Sequence, residues 1–159
     1  MVNKIEIKQL KDPVIFIACG FGSGLVPVAP GTAGTLAAIP LYLLLSLFEQ
    51  WVYLAVTAFV TIAGIWVCAY TAKKLDVHDH PSIVIDEIAG FFITMAIVPN
   101  EWLWIVIGFV LFRFFDAVKP WPISWIDKNV KGGFGIMVDD VVAGFASMLC
   151  MVLIGPYVG

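Results

Sequence analysis

Carboxylates stand in this chain where they are costly. Asp86 and Glu87 interrupt the apolar run Ile-Val-Ile-Asp-Glu-Ile-Ala-Gly that ends at Gly90, and Asp116 lies in Arg113-Phe-Phe-Asp-Ala-Val-Lys-Pro120. Asp139 and Asp140 sit in Gly132-Gly-Phe-Gly-Ile-Met-Val-Asp-Asp-Val-Val-Ala-Gly144. A charged acid inside a lipid-compatible segment costs kilocalories unless it is paired or metal-bound, so each is a functional candidate by default. Brought together, they repel one another unless a cation sits among them. Hard oxygen donors select Mg²⁺ or Mn²⁺, whereas zinc would draw on His and Cys. Arg113 and Lys119 add cations suited to an anionic ligand. Carboxylate-held metal with Arg and Lys is the apparatus of phosphoryl transfer.

Each motif also has a plainer reading. Asp86 and Glu87 could salt-bridge Arg113; Arg113 and Asp116, three apart, could pair within one helix. The spacing puts Arg113, Asp116 and Lys119 on one helical face, with Lys119 left over at headgroup level and Pro120 ending the helix. Asp139 and Asp140 are expected to open the last helix after a glycine-rich loop, where one Asp serves as a cap but two exceed that need. His78 and His80 are read as metal ligands or as solvated loop residues. A further loop, Gly20-Phe-Gly-Ser-Gly24 and then Pro27-Val-Ala-Pro-Gly-Thr-Ala-Gly-Thr35, reads by itself first as a turn that starts a helix, and second as backbone N–H groups at Gly31 and hydroxyls at Thr32 and Thr35 offered to a phosphate. No Walker lysine follows it, so it is no nucleotide loop. The strings Ile-Val-Ile-Asp-Glu and Ile-Met-Val-Asp-Asp resemble each other and both lead to Ala-Gly, a weak internal repeat or a convergence at two helix starts.

The elements that hold these residues must live in lipid. The chain has 159 residues, 61% of them hydrophobic and 13% charged, against about a quarter charged in soluble domains. The net charge of -3 leaves no basic footprint for nucleic acid. Cys19, Cys68 and Cys150 have no metal or redox spacing and read as small hydrophobes. A polar segment, 1–12, precedes an apolar run too short to span, and no signal-type cleavage site follows it. Five apolar stretches follow, at 33–48, 51–72, 83–98, 102–118 and 141–158. The second is long enough to cross at about 33 Å; the 16-residue ones reach only about 24 Å and either thin the bilayer or lie half inside it. If all cross, the nine Lys and Arg fall on one side, which the positive-inside rule makes cytoplasmic. The four polar motifs map to that same side. Trp51, Trp102 and Trp104 then mark the opposite boundary, and Trp121 and Trp125 the cytoplasmic one. The expectation is an all-α, compact, single-domain bundle (1–159) of transmembrane or membrane-embedded helices with its polar loops on the cytoplasmic side.

At these motifs the chain resembles the phosphatidylglycerophosphatase A family of bacterial inner-membrane lipid phosphatases, from Gly20 to about Pro156. The strings Gly-Ser-Gly-Leu-Val-Pro-Val-Ala-Pro-Gly-Thr, His-Asp-His-Pro-Ser-Ile-Val-Ile-Asp-Glu, Phe-Arg-Phe-Phe-Asp-Ala-Val-Lys-Pro-Trp-Pro and Gly-Gly-Phe-Gly-Ile-Met-Val-Asp-Asp carry the resemblance in combination. It implies Mg²⁺-dependent hydrolysis of phosphatidylglycerophosphate to phosphatidylglycerol and phosphate. Mapped here, Asp86, Glu87, Asp139 and Asp140 are the expected metal ligands, and Asp116 a further ligand or the base for water. Arg113 and Lys119 would hold phosphate, helped by Gly31, Thr32 and Thr35. Rival classes fare worse. The Asp-Gly-x-x-Ala-Arg string of CDP-alcohol phosphotransferases and the Pro-Ser-Gly-His string of phosphohistidine lipid phosphatases are absent. A cation channel or transporter would want acids through the bilayer's depth, yet Glu49 is the only acid between residues 36 and 72. Oligomeric state is left open by the sequence.

Overall fold

Local signals start and stop most of the helices. The computed structural model describes residues 5, 8–77 and 79–158; Lys4 and His78 lie outside them. Asp12 caps α1 (Pro13–Ala18), its Oδ1 accepting from the Val14 N–H at 2.9 Å, with proline at the first helical position. A 3-10 segment, Gly20–Leu25, leads to α2 (Pro30–Leu45), which also opens on proline. The long α3 (Gln50–Leu75) ends with Lys73 and Lys74 in its last turn and a left-handed Asp76, while the Val77 N–H returns to the Ala72 carbonyl. The remaining helices are α4 (Ile85–Thr94), α5 (Trp102–Val118), α6 (Ile123–Asn129) and α7 (Gly132–Val158). No strand occurs among the described residues. The fold is all-α, as expected.

Two helices, Gln50–Leu75 and Gly132–Pro156, are long and apolar enough to cross a membrane. Their outer faces are apolar: Phe59, Ile62 and Trp66 on α3 and Leu149 and Leu153 on α7 are all more than half exposed. Surfaces of that kind need lipid or another apolar cover. The other helices pack around a centre that is itself a helix. Only ten residues long, α4 is buried on almost every side by α7, α2 and α3.

Three expectations change here. The stretch 83–98 forms a helix only from Ile85 to Thr94, roughly 15 Å, so α4 ends inside the bundle. Carbonyls at that end are taken by side chains of α3: Tyr53 donates to Phe92 O at 2.6 Å and Gln50 Nε2 donates to Ala96 O. Tertiary hydrogen bonds thus replace the turn of helix that is missing. Second, the last helix begins at Gly132, not near Val141, so Asp139 and Asp140 sit two turns inside it and are not caps. Gly132–Gly135 is its first turn, not a loop. A Cβ at Gly133 would collide with the Ile65 carbonyl of α3, so the small residues serve close helix contact. The aromatic placement is also revised, because Trp104 is buried at 5% exposure while Trp51, Trp102, Trp121 and Trp125 are exposed.

Candidate metal and phosphate site

The polar motifs converge at one end of the bundle. Helices α2 and α4 begin there, α3 and α5 finish there, and the first turns of α7 pass through it. Asp86 and Glu87 occupy the first turn of α4, where the helix N-terminus favours negative charge. Asp140 reaches them from α7: carboxylate oxygens of Asp86, Glu87 and Asp140 all lie within 4.8 Å of one another. From α3, Cys68 is buried beside the same three acids.

The repeated Ala-Gly pairs explain how α4 and α7 come close enough. Gly90 lies one turn below Asp86, and Gly144 one turn below Asp140. A Cβ on Gly144 would stand 2.5 Å from the Gly90 carbonyl oxygen, and one on Gly90 would stand 2.8 Å from the Asp140 carbonyl oxygen. Only glycine permits backbones this close. Thr94 Oγ1 reinforces the contact across the helices, reaching Gly144 O at 3.4 Å.

Around this trio sit the cationic residues. Arg113 Nη1 donates to Asp116 Oδ2 and reaches Thr35 Oγ1 at 3.4 Å. Thr35 is buried and donates to Gly31 O at 2.9 Å. Gly31 is needed where it stands, since a Cβ there would strike Glu87 Oε1 and lie 3.2 Å from Arg113 Nη1. Asp116 also faces Asp140. Thr32 is half-buried in the same first turn of α2. The glycine-rich turn, the Asp-Glu pair and the arginine therefore share one small space.

Some pairings differ from the sequence reading. Arg113 bonds Asp116 within α5 rather than Asp86 or Glu87. Lys119 is not left over. It is the left-handed residue ending α5, φ 46°, and its ammonium donates to Asp139 Oδ2 at 2.6 Å and to Asp127 Oδ1 at 2.5 Å. Burial pulls its pKa down, but the Asp127 and Asp139 carboxylates outweigh that and hold it above the ordinary lysine value. Asp139 is thus held by Lys119 and stands outside the trio. Asp127, on α6, is a residue that sequence reasoning missed; its only signal was an acid one helix away from an expected phosphate-binding lysine. His80 is not solvated: it is buried, and its Nδ1 accepts from the Ser82 N–H at 3.1 Å, shaping the turn into α4.

The donor chemistry fits a divalent cation. Asp86 Oδ1, Glu87 Oε2 and Asp139 Oδ1 are buried with no hydrogen-bond partner among the described residues. Buried oxygens left so are rare in folded proteins and point to an absent partner. Carboxylate oxygens are the hard donors that divalent cations such as Mg²⁺ and Ca²⁺ take.

Apolar helices of membrane-spanning length, with a buried acid cluster and an arginine at one end, point to the class of membrane proteins, with carboxylates that could hold a metal ion. The particular family follows from comparison with known proteins. A family model described as Phosphatidylglycerophosphatase A matches residues 16–155, and the chain belongs to that family. It is 47% identical to Phosphatidylglycerophosphatase A of Escherichia coli (strain K12), over 98% of this chain and 91% of that protein. It is 44% identical to the Haemophilus influenzae protein of the same name, over 92% of this chain and 91% of that one. No solved structure matches the chain.

Proposed function

We propose that the whole chain acts as one phosphatase domain, hydrolysing the phosphate monoester of phosphatidylglycerophosphate to phosphatidylglycerol and inorganic phosphate. The observation that carries this is the meeting of Asp86, Glu87 and Asp140 within 4.8 Å, beside Arg113 and Thr35. These three acids would hold Mg²⁺, with the free Oδ1 of Asp139 as a further donor. When bound, the ion neutralises phosphate charge and lowers the pKa of water near it. Arg113, steadied by Asp116 and Thr35, holds the phosphate oxygens in a forked contact. The turn at Gly31, Thr32 and Thr35 supports the same group. Lys119, aimed by Asp127 and Asp139, adds positive charge at the rim. Asp116 lies between the arginine and Asp140, where it orients the attacking water and accepts its proton. The bond between phosphorus and the lipid oxygen breaks, and that oxygen leaves as an alcohol after taking up a proton.

The site would face the cytoplasm of a bacterial inner membrane. Lys73, Lys74, Arg113, Lys119, Lys128 and Lys131 all lie near its end of the bundle or in the connections there, as the positive-inside rule requires. A transporter reading is weaker, because the acids are gathered at one end. The test is release of inorganic phosphate from phosphatidylglycerophosphate in mixed micelles, with Mg²⁺ and with EDTA. Release that stops in EDTA and returns with Mg²⁺ is expected; undiminished release in EDTA would remove the metal from the mechanism.

A further inference from the structure

Apolar grooves run along the outside of the bundle, and one begins where the phosphate-holding groups end. It lies between α2 and α5, encloses about 650 Å³, and is walled by Leu36, Ile39 and Leu43 on one side and Val106 and Phe109 on the other. Leu36 directly follows Thr35, and Phe109 lies one turn before Arg113. Arg113 Nη1 and Thr35 Oγ1, in contact at 3.4 Å, therefore lie just beyond one end of these walls, one turn along α5 and one residue along α2. Its far end is also polar: Asn100 lines it and donates to Ser46 Oγ at 2.7 Å, tying the connection before α5 to the end of α2.

Dimensions and exposure suit a lipid tail. The eleven helical steps from Trp102 to Arg113 give roughly 16 Å of helix, about half the hydrocarbon thickness of a bilayer. Leu36, Leu43 and Val106 are 52%, 42% and 36% exposed, so the groove is open sideways to lipid. Other grooves, of about 420 and 320 Å³, have neither a neighbour of Arg113 nor one of Thr35 in their walls.

We propose that the α2–α5 groove seats one acyl chain of the lipid whose phosphate Arg113 and Thr35 hold, a proposal that rests on the lipid phosphatase reading above. A tail leaving the groove enters the bilayer rather than water, so burial from water contributes little to the preference. What the groove supplies is alignment. A seated chain fixes the depth of the glycerol and so the distance of the phosphate from Asp86, Glu87 and Asp140, where a misplacement of about 1 Å costs up to about a hundredfold in rate.

The experiment compares dipalmitoyl with dihexanoyl phosphatidylglycerophosphate in mixed micelles. The proteins are the wild type, Val106→Trp and Leu43→Trp from the two walls, and Ile62→Trp in the 420 Å³ groove as a control. Monodisperse elution and an unchanged thermal midpoint select folded variants. Val106→Trp and Leu43→Trp should lower kcat/KM for the dipalmitoyl lipid about tenfold, while the dihexanoyl rate and the Ile62→Trp protein stay at wild-type values. Equal losses on both lipids, no loss on either, or the same loss in Ile62→Trp would overturn the groove assignment. If the wild type releases phosphate from neither lipid, the failure lies with the phosphatase reading itself.

Discussion

Replacing Gly144 by alanine tests whether backbone proximity sets the acid cluster. The new Cβ would meet the Gly90 carbonyl oxygen at 2.5 Å and Ile93 Cβ at 3.1 Å, where ordinary contact begins at 3.4 Å. The helices must therefore part by about 0.9 Å at this level, the shortfall between those two distances. Overpacking of this kind costs about 1–3 kcal/mol of stability. The same displacement acts one turn above, between Asp140 and Asp86, so turnover should fall further than stability predicts, by up to about a hundredfold. Gly155→Ala in the same helix is the control, because its Cβ meets only Trp104, at 3.8 Å; it should stay active. The assay pairs phosphate release in micelles with a thermal melt. A Gly144→Ala protein with wild-type turnover would show that the α4–α7 approach does not control the cluster.

Other perturbations probe separate parts of the structure. Asp86→Asn or Asp140→Asn should abolish phosphate release. In metal-free protein each should raise the melting temperature, since a buried like charge is removed, and each should erase the upward shift that Mg²⁺ gives the wild type; a preserved shift would remove that residue from the metal site. Tyr53→Phe leaves the Phe92 carbonyl of α4 unmatched and should cost about 1–3 kcal/mol, read as a lower melting temperature; an unchanged melt would refute the capping role of Tyr53. Asp12 is held at a pKa of about 2, below the ordinary carboxylate range, chiefly by the Lys74 hydrogen bond. Because the folded value is the lower one, its tie to α3 is present above about pH 4 and lost as pH falls toward about 2. Exchange of the Val14 amide should accelerate across that window, and Asp12→Asn should show no such step.

The parts of this protein legible in sequence were those written in local chemistry. Acids in apolar stretches, proline at helix starts and the basic residues after α3 marked the bundle and the end at which its polar groups meet. What escaped depends on partners distant in the chain. The end of α4 carries no local stop signal, because Tyr53 and Gln50 of α3 provide it. Glycines at 132–135 signal a loop by composition, yet they open α7, where Gly133 lets it lie against α3 and Gly135 lets it pass the Val130 carbonyl. The Lys119 pairing needed the left-handed turn after α5 and the short α6, neither of which apolar periodicity reports. The recurring Ala-Gly after each acidic pair was visible, but its meaning emerged only when Gly90 and Gly144 were seen facing each other.

The truncated α4 bears on how the chain enters its membrane. Ten helical residues with carbonyls bare at one end make a poor guest in hydrocarbon when alone. The groups that satisfy those carbonyls belong to the preceding helix, so the nascent α3 has to be waiting beside the insertion site when α4 is released. The expected outcome of a lesion at Tyr53 or Gln50 is therefore rapid turnover of newly made protein, seen before any loss in the folded pool.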